Sequence, residues 1–234
     1  QLVDFTPAIR EMAIEAVSPF RVGPLYTPHS QRGTIVRPGF SAGSWSGAAV
    51  DPESGILYVP SGNRYAVKQF REPAPGEDAS LRIIEKRPAD RPQMPQGLPL
   101  FKPPYKRVTA LDLNTGERVW MEPHGDGPRK HPALADLDLP PLGGGGGTSS
   151  GPLVTPTLLI MNHGGRDYEQ LAASARTVSA YDKGTGEHLG SIDLPAVPGG
   201  NPITYLHEGK QYLALAIGRS SDESIPELIA LSVP

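Results

Sequence analysis

The sequence predicts an all-β chain of propeller blades with one short N-terminal helix. Three observations carry that expectation. Val108–Trp120 (VTALDLNTGERVW) returns as Val178–Gly190 (VSAYDKGTGEHLG), with six of thirteen positions identical. A partial copy, Ala49–Gly55 (AVDPESG), lies upstream, so that the shared alanines fall 61 and 70 residues apart. Self-similarity over such intervals signals a stacked or radial repeat. Each copy also reads as a hairpin. Val108, Ala110 and Val178, Ala180 alternate with their neighbours as a half-buried strand requires. The following Asp can accept local backbone N–H bonds, and Gly55, Gly116 and Gly186 sit where a tight turn wants positive φ. A lone Asp-x-x-Thr-Gly turn is common in all-β proteins; three copies argue for a repeat, and repeated hairpins build blades. Finally, Gly and Pro contribute 27 residues each to a chain of 234, which favours many turns and short strands.

Taken in order, residues 6–17 read as a helix. Thr6 can cap it, Pro7 suits its first position, and Ile9, Met12, Ala13, Ala16 and Val17 share one face. Ser18-Pro19 ends it. Residues 19–42 are loop with a short apolar piece at Thr34–Val36. Ser46–Val50 and Ile56–Pro60 form a first hairpin, Arg107–Asp112 and Arg118–Glu122 a second. The stretches 61–105 and 123–150 lack periodicity and read as long surface insertions, the first with a solvated basic face. Strands then become dense: Leu153–Met161, Thr177–Asp182, Leu189–Leu194, Pro202–Leu206, Gln211–Ile217 and Glu227–Val233. That is about two four-stranded blades, and the whole of 1–234 reads as one partial propeller.

Composition narrows the function. The net charge of −3 offers no basic surface for nucleic acid. No apolar run approaches the ~20 residues needed to span a bilayer, and Gln1–Pro7 has no secretory leader pattern. The absence of Cys removes thiolate metal sites and covalent haem attachment. The run Gly143–Gly147 precedes a strand and no helix, so it is a loop and not a phosphate cradle. The six histidines show no helical ligand pair, and Asp136-Leu-Asp138 lacks the Gly and terminal Glu of a Ca²⁺ loop. Trp45, flanked by small residues in Ser41–Gly47, can present its face to a flat ligand or pack between blades.

The hairpin pattern Ala-x-Asp-x-x-Thr-Gly-x-x-x-Trp resembles the tryptophan-docking motif of the pyrroloquinoline quinone (PQQ)-dependent dehydrogenases. These are eight-bladed propellers of the membrane glucose dehydrogenase and quinoprotein alcohol dehydrogenase type. Asp4–Pro7 with its helix, Gly23–Pro28, Gly33–Gly39, Trp45–Asp51, Gly151–Thr155, Asn201–Tyr205 and Gly209–Tyr212 look like successive landmarks of that family's C-terminal portion. Each is weak alone; their order and spacing are specific. The resemblance implies the C-terminal part of an eight-bladed quinoprotein propeller, with PQQ and Ca²⁺ as cofactors. It further implies that the Ca²⁺ ligands and the catalytic Asp precede Gln1. No catalytic or metal residue is therefore assigned within the chain, and Ser44 and Trp45 are the candidate cofactor-binding residues. Ser44 stands where the family often has Asn, and Gly190 where a docking Trp would close the repeat.

On that resemblance the intact protein oxidises an alcohol, polyol or aldose sugar, PQQ carrying the hydride chemistry and a quinone or cytochrome taking the electrons. This chain alone is expected to be inactive and to associate with the missing N-terminal propeller part. A periplasmic location is implied, any membrane association residing in that N-terminal part. The alternative is a non-catalytic propeller used as a scaffold or binding module, since fold does not imply function.

Overall fold

The computed structural model describes residues 1–24, 26–37, 47–87, 89–144, 151–165, 175–218 and 225–232. The chain divides into two compact units, Gln1–Phe40 with Asn63–Pro103, and Ser41–Gly62 with Pro104–Pro234.

The first unit contains the helix α1, Pro7–Val17. Thr6 caps it: in extended backbone, its hydroxyl accepts from the Ile9 N–H at 3.2 Å. Ile9 and Ala13 are the residues the helix buries, while Met12 is 40% exposed, so the apolar stripe is narrower than the periodicity suggests. Strand β1 (Thr34–Val36) pairs antiparallel with β4 (Ala66–Lys68), and β5 (Phe70–Arg71) with β6 (Ile84–Glu85). Most of the stretch read as a surface insertion over 61–105, residues 63–103, thus contributes short strands and buried Val67, Met94, Leu98 and Leu100 to one unit with residues 1–40. Strands of two or three residues are too brief to leave a period-2 signature.

The second unit is made of sheets. β2 (Ala49–Asp51), β3 (Ile56–Gly62), β7 (Lys106–Asp112) and β8 (Arg118–Pro123) form one antiparallel sheet in that order. β9 (Leu153–Val154), β10 (Leu158–Gly165), β11 (Ala175–Asp182) and β12 (His188–Asp193) form the next, again in chain order. β13 (Pro198–His207), β14 (Lys210–Ile217) and β15 (Glu227–Ser232) form a third, three-stranded among the described residues. The expected single strand Leu153–Met161 is broken in two. Thr155 turns the chain, its N–H donating to Leu158 O at 2.8 Å and its hydroxyl accepting from Leu158 N–H at 2.9 Å, and Pro156 has no N–H to give a ladder.

The three repeat copies make the same turn. Gly55, Gly116 and Gly186 have φ of +72°, +76° and +80°, and each donates its N–H to the carbonyl of the leading aspartate, Asp51, Asp112 or Asp182, at 2.7–2.9 Å. Each carboxylate accepts the backbone N–H two residues on, from Glu53, Asn114 or Gly184. The copies differ in place, however. Asp112 and Asp182 turn strand three into strand four of their sheets, whereas Asp51 turns strand one into strand two. An Asx-type turn is local chemistry and serves either hairpin. The 70-residue offset is therefore the sheet-to-sheet repeat.

Between the first two sheets lies a core of Tyr58, Val108, Ala110, Leu159, Met161 and Tyr181, with Trp120 packed against it. Between the second and third lies Val178, Leu194, Leu215 and Ile217. These are open, consecutive blades of a propeller.

Candidate functional site

Two polar clusters lie at opposite ends of the first two sheets. One is at the turn end. Lys183, in the β11–β12 turn, extends its ammonium to Asp51 Oδ2 at 2.7 Å. Its carbonyl accepts from the Trp120 indole N–H and from the Tyr58 hydroxyl, both at 3.1 Å. The Tyr58 and Trp120 rings lie 5.8 Å apart, and a Cβ built on Gly186 would come within 2.8 Å of the Trp120 ring. Trp120 therefore docks its own sheet on the turn of the next. A cleft of about 310 Å³ opens beside these residues.

Asp51 is 5% exposed. The Lys183 ammonium, the Ser54 hydroxyl and the Glu53 N–H, in that order of weight, hold its carboxyl down at about 2. A carboxyl lowered in the folded state stabilises it above the unfolded value near 4, and the contribution is lost as pH falls from there toward 2. Asp51→Asn is expected to flatten the acid limb of a stability–pH profile between about pH 4 and 2. Chemical denaturation across that range checks this; a variant limb superimposable on wild type refutes the pairing.

The other cluster is at the end where β2 begins, two residues after Gly47. There β3 ends and β7 begins, on the Gly62–Lys106 pair, and β8 runs out through Pro123 to His124. His124 is fully buried. Its Nε2 lies 3.2 Å from the Asn162 carbonyl oxygen, which can only accept, so Nε2 carries the proton. Its Nδ1 then accepts from the Tyr181 hydroxyl at 2.7 Å. Burial, with Lys106 and His163 nearby, keeps its protonation far below the usual imidazole range. Burial likewise pushes the Tyr181 hydroxyl up. The rings of His124 and His163 are 5.0 Å apart. Asn162 donates from Nδ2 to Gly200 O at 3.1 Å, tying in the third sheet.

Backbone closes this end. Gly125, at φ +86°, lies against the His163 imidazole, where a Cβ would come within 2.6 Å. Gly144 N–H donates to His124 O at 2.7 Å and Gly143 N–H to Gly125 O at 3.0 Å. The stretch read as a second surface insertion thus buries His124, His131, Leu134 and Leu142. Asp126 pairs with Arg129 and Lys130 on its surface.

The candidate cofactor residues Ser44 and Trp45 lie outside the described residues. Sequence reasoning missed the histidine cluster. It sought helical ligand spacing, whereas these residues meet because each ends a strand: His124 after β8, Asn162 and His163 in the last half of β10. Among the described residues, no group of three or more His, Asp or Glu could hold a metal ion. His124, neutral and bonded at both nitrogens, is arranged to hold strands and not to exchange protons with a substrate. His124 and its partners are thus not a ligand set for Ca²⁺, and no chemical step is assigned to them.

The fold, the repeated turn and the docked indole define a class. A family profile described as "PQQ: Glucose/ethanol/alcohol dehydrogenase, beta-propeller domain" matches residues 1–213, and the chain belongs to that family. Among curated relatives, a probable quinate dehydrogenase (quinone) of Xanthomonas campestris pv. juglandis is 34% identical over 143 residues, 59% of this chain and 17% of that protein. A quinoprotein glucose dehydrogenase of Gluconobacter oxydans (strain 621H) is 27% identical over 239 residues, 89% of this chain and 28% of that protein. A solved quinohemoprotein alcohol dehydrogenase of Pseudomonas putida HK5 aligns at a TM-score of 0.48 and 18% identity, over 80% of this chain and 24% of that one. The chain thus spans between about a sixth and three tenths of the length of these relatives.

Proposed function

We propose that this chain is the C-terminal part of a PQQ-dependent dehydrogenase that oxidises an alcohol, polyol or aldose sugar and passes the electrons to a quinone or cytochrome. The observation that carries the reading is the family match across residues 1–213, on a chain whose sheets repeat in register. PQQ, with Ca²⁺, would supply the redox chemistry from residues outside this chain, and Ser44 and Trp45 would contribute one wall of its pocket. The chain's own part is to supply consecutive blades, locked at one end by Trp120 on the Lys183 turn and at the other by the histidine cluster. Among the described residues its terminal sheets present unpaired edges, suited to joining an N-terminal propeller part. A periplasmic location belongs to this reading.

Dye reduction with added PQQ and Ca²⁺ tests it, on a panel of alcohols, polyols and aldoses. The intact protein containing this chain is expected to turn over at least one substrate, and residues 1–234 alone none. Lack of any PQQ-dependent turnover by the intact protein would favour a scaffold propeller instead. Turnover by the chain alone would place a base within it and refute the fragment reading.

A further inference from the structure

The second and third sheets repeat the junction of the first and second with one part removed. In the first sheet Ala110 pairs with Trp120 and the register shifts between Ala110 and Leu111. In the second, Ala180 pairs with Gly190 and the register shifts between Ala180 and Tyr181. Gly190 therefore occupies the place of Trp120. It faces the third sheet as Trp120 faces the second. A Cβ built on Gly190 meets nothing within 4 Å, and its φ lies outside the left-handed region, so the backbone would accept a side chain there.

The space is substantial. A cleft of about 730 Å³ lies over Gly190, walled by Leu158, Ala180 and Ile192 of the second sheet and by Tyr212 and Leu213 of the third. Thr155, Thr204 and Gln211 add polar atoms. Ile192, which lines the cleft on the edge strand β12, remains 54% exposed. Clefts of ~300–1,000 Å³ with apolar walls and a few polar groups take small organic ligands. Apolar cavities left by absent side chains accept apolar rings of the missing size.

We propose that the cleft over Gly190 is a binding site for a flat aromatic ligand of indole size, which fills the position held by the Trp120 ring in the preceding junction. The ring lies between Ala180 and Ile192 on one side and Leu213 on the other. Binding there is read without turnover.

Indole itself is the probe, added to the purified full chain during thermal unfolding followed by circular dichroism. At ten times its Kd it is expected to raise Tm by roughly 3–5 °C. Gly190→Trp is expected to raise Tm by roughly 2–6 °C without ligand and to abolish the indole shift. Ala180→Leu, which intrudes from β11 and leaves Gly190 intact, is expected to weaken indole binding several-fold; it decides the matter if Gly190→Trp does not fold. No shift in wild type at the solubility limit overturns the proposal. So does an equal shift in wild type and both variants, which places indole elsewhere. Sedimentation completes the test: a dimer that Gly190→Trp dissociates would show a second copy of the chain in the cleft, and would overturn it too.

Discussion

Trp120→Ala is expected to destabilise the second unit by about 3 kcal/mol, the lower end of the range for removing a large core aromatic, because Trp120 is only partly buried. The loss has two parts. Loss of the indole removes one ring packed beside Tyr58 and the packing against the Gly186 turn. It also withdraws one of two donors from the Lys183 carbonyl. For a chain of this size Tm should fall by roughly 6–12 °C. Gly186→Ala supplies the control. Its methyl would strike the Trp120 ring at 2.8 Å on a backbone of φ +80°, so it should cost more in wild type than in the Trp120→Ala background. Strict additivity of the two substitutions, or an unchanged denaturation midpoint for Trp120→Ala, would show that the ring does not dock there.

His124→Leu is expected to cost about as much, about 3 kcal/mol. Leucine fills much of the volume but strands the Tyr181 hydroxyl and the Asn162 carbonyl, and each orphaned buried group costs about 1–3 kcal/mol. The substitution also has a pH signature. The native state holds His124 neutral, whereas the unfolded chain takes up a proton below about 6.5. The unfolded state then binds more protons than the folded one, so wild-type stability falls as pH drops below that value. His124→Leu removes this slope. The gap between variant and wild type should therefore narrow from pH 7 to pH 5, in guanidinium unfolding at each pH. A gap that stays constant or widens would mean that the fold does not hold His124 neutral.

What could be read in the sequence was whatever local chemistry decides. The Asp-led turns, their glycines and the alternation around Ala110 and Ala180 each act within a dozen residues, and the hairpins follow. The helix cap at Thr6 and Pro7 is equally local. The propeller class followed from repetition of those pieces. The place of the first copy within its sheet was not legible, because an Asx turn carries no mark of which hairpin it closes. Nor was the break at Pro156, since Val154 and Leu158 continue the apolar run across it. The histidine cluster was hidden for a different reason. His124, Asn162 and Tyr181 come together only through the register of two sheets and the packing between them, and no spacing along the chain encodes that. The candidate cofactor residues, Ser44 and Trp45, rest on resemblance alone.

The arrangement of the first sheet sets an order on folding. β2–β3 and β7–β8 are local hairpins of a kind that closes in about 1–10 μs. β3 and β7, its central partners, are separated by residues 63–105, and their seven paired positions can form only after that whole segment has been brought round. The second sheet has its strands closer in sequence. The entropic penalty of a long loop grows slowly with its length, so the delay falls mainly on rate. In the interval β3 presents Ile56, Tyr58 and Pro60 on an edge with no neighbour, and such an edge is open to the same strand of another molecule. Refolding yield should accordingly drop with protein concentration well before native stability is affected, and aggregates should form through β3 before β10.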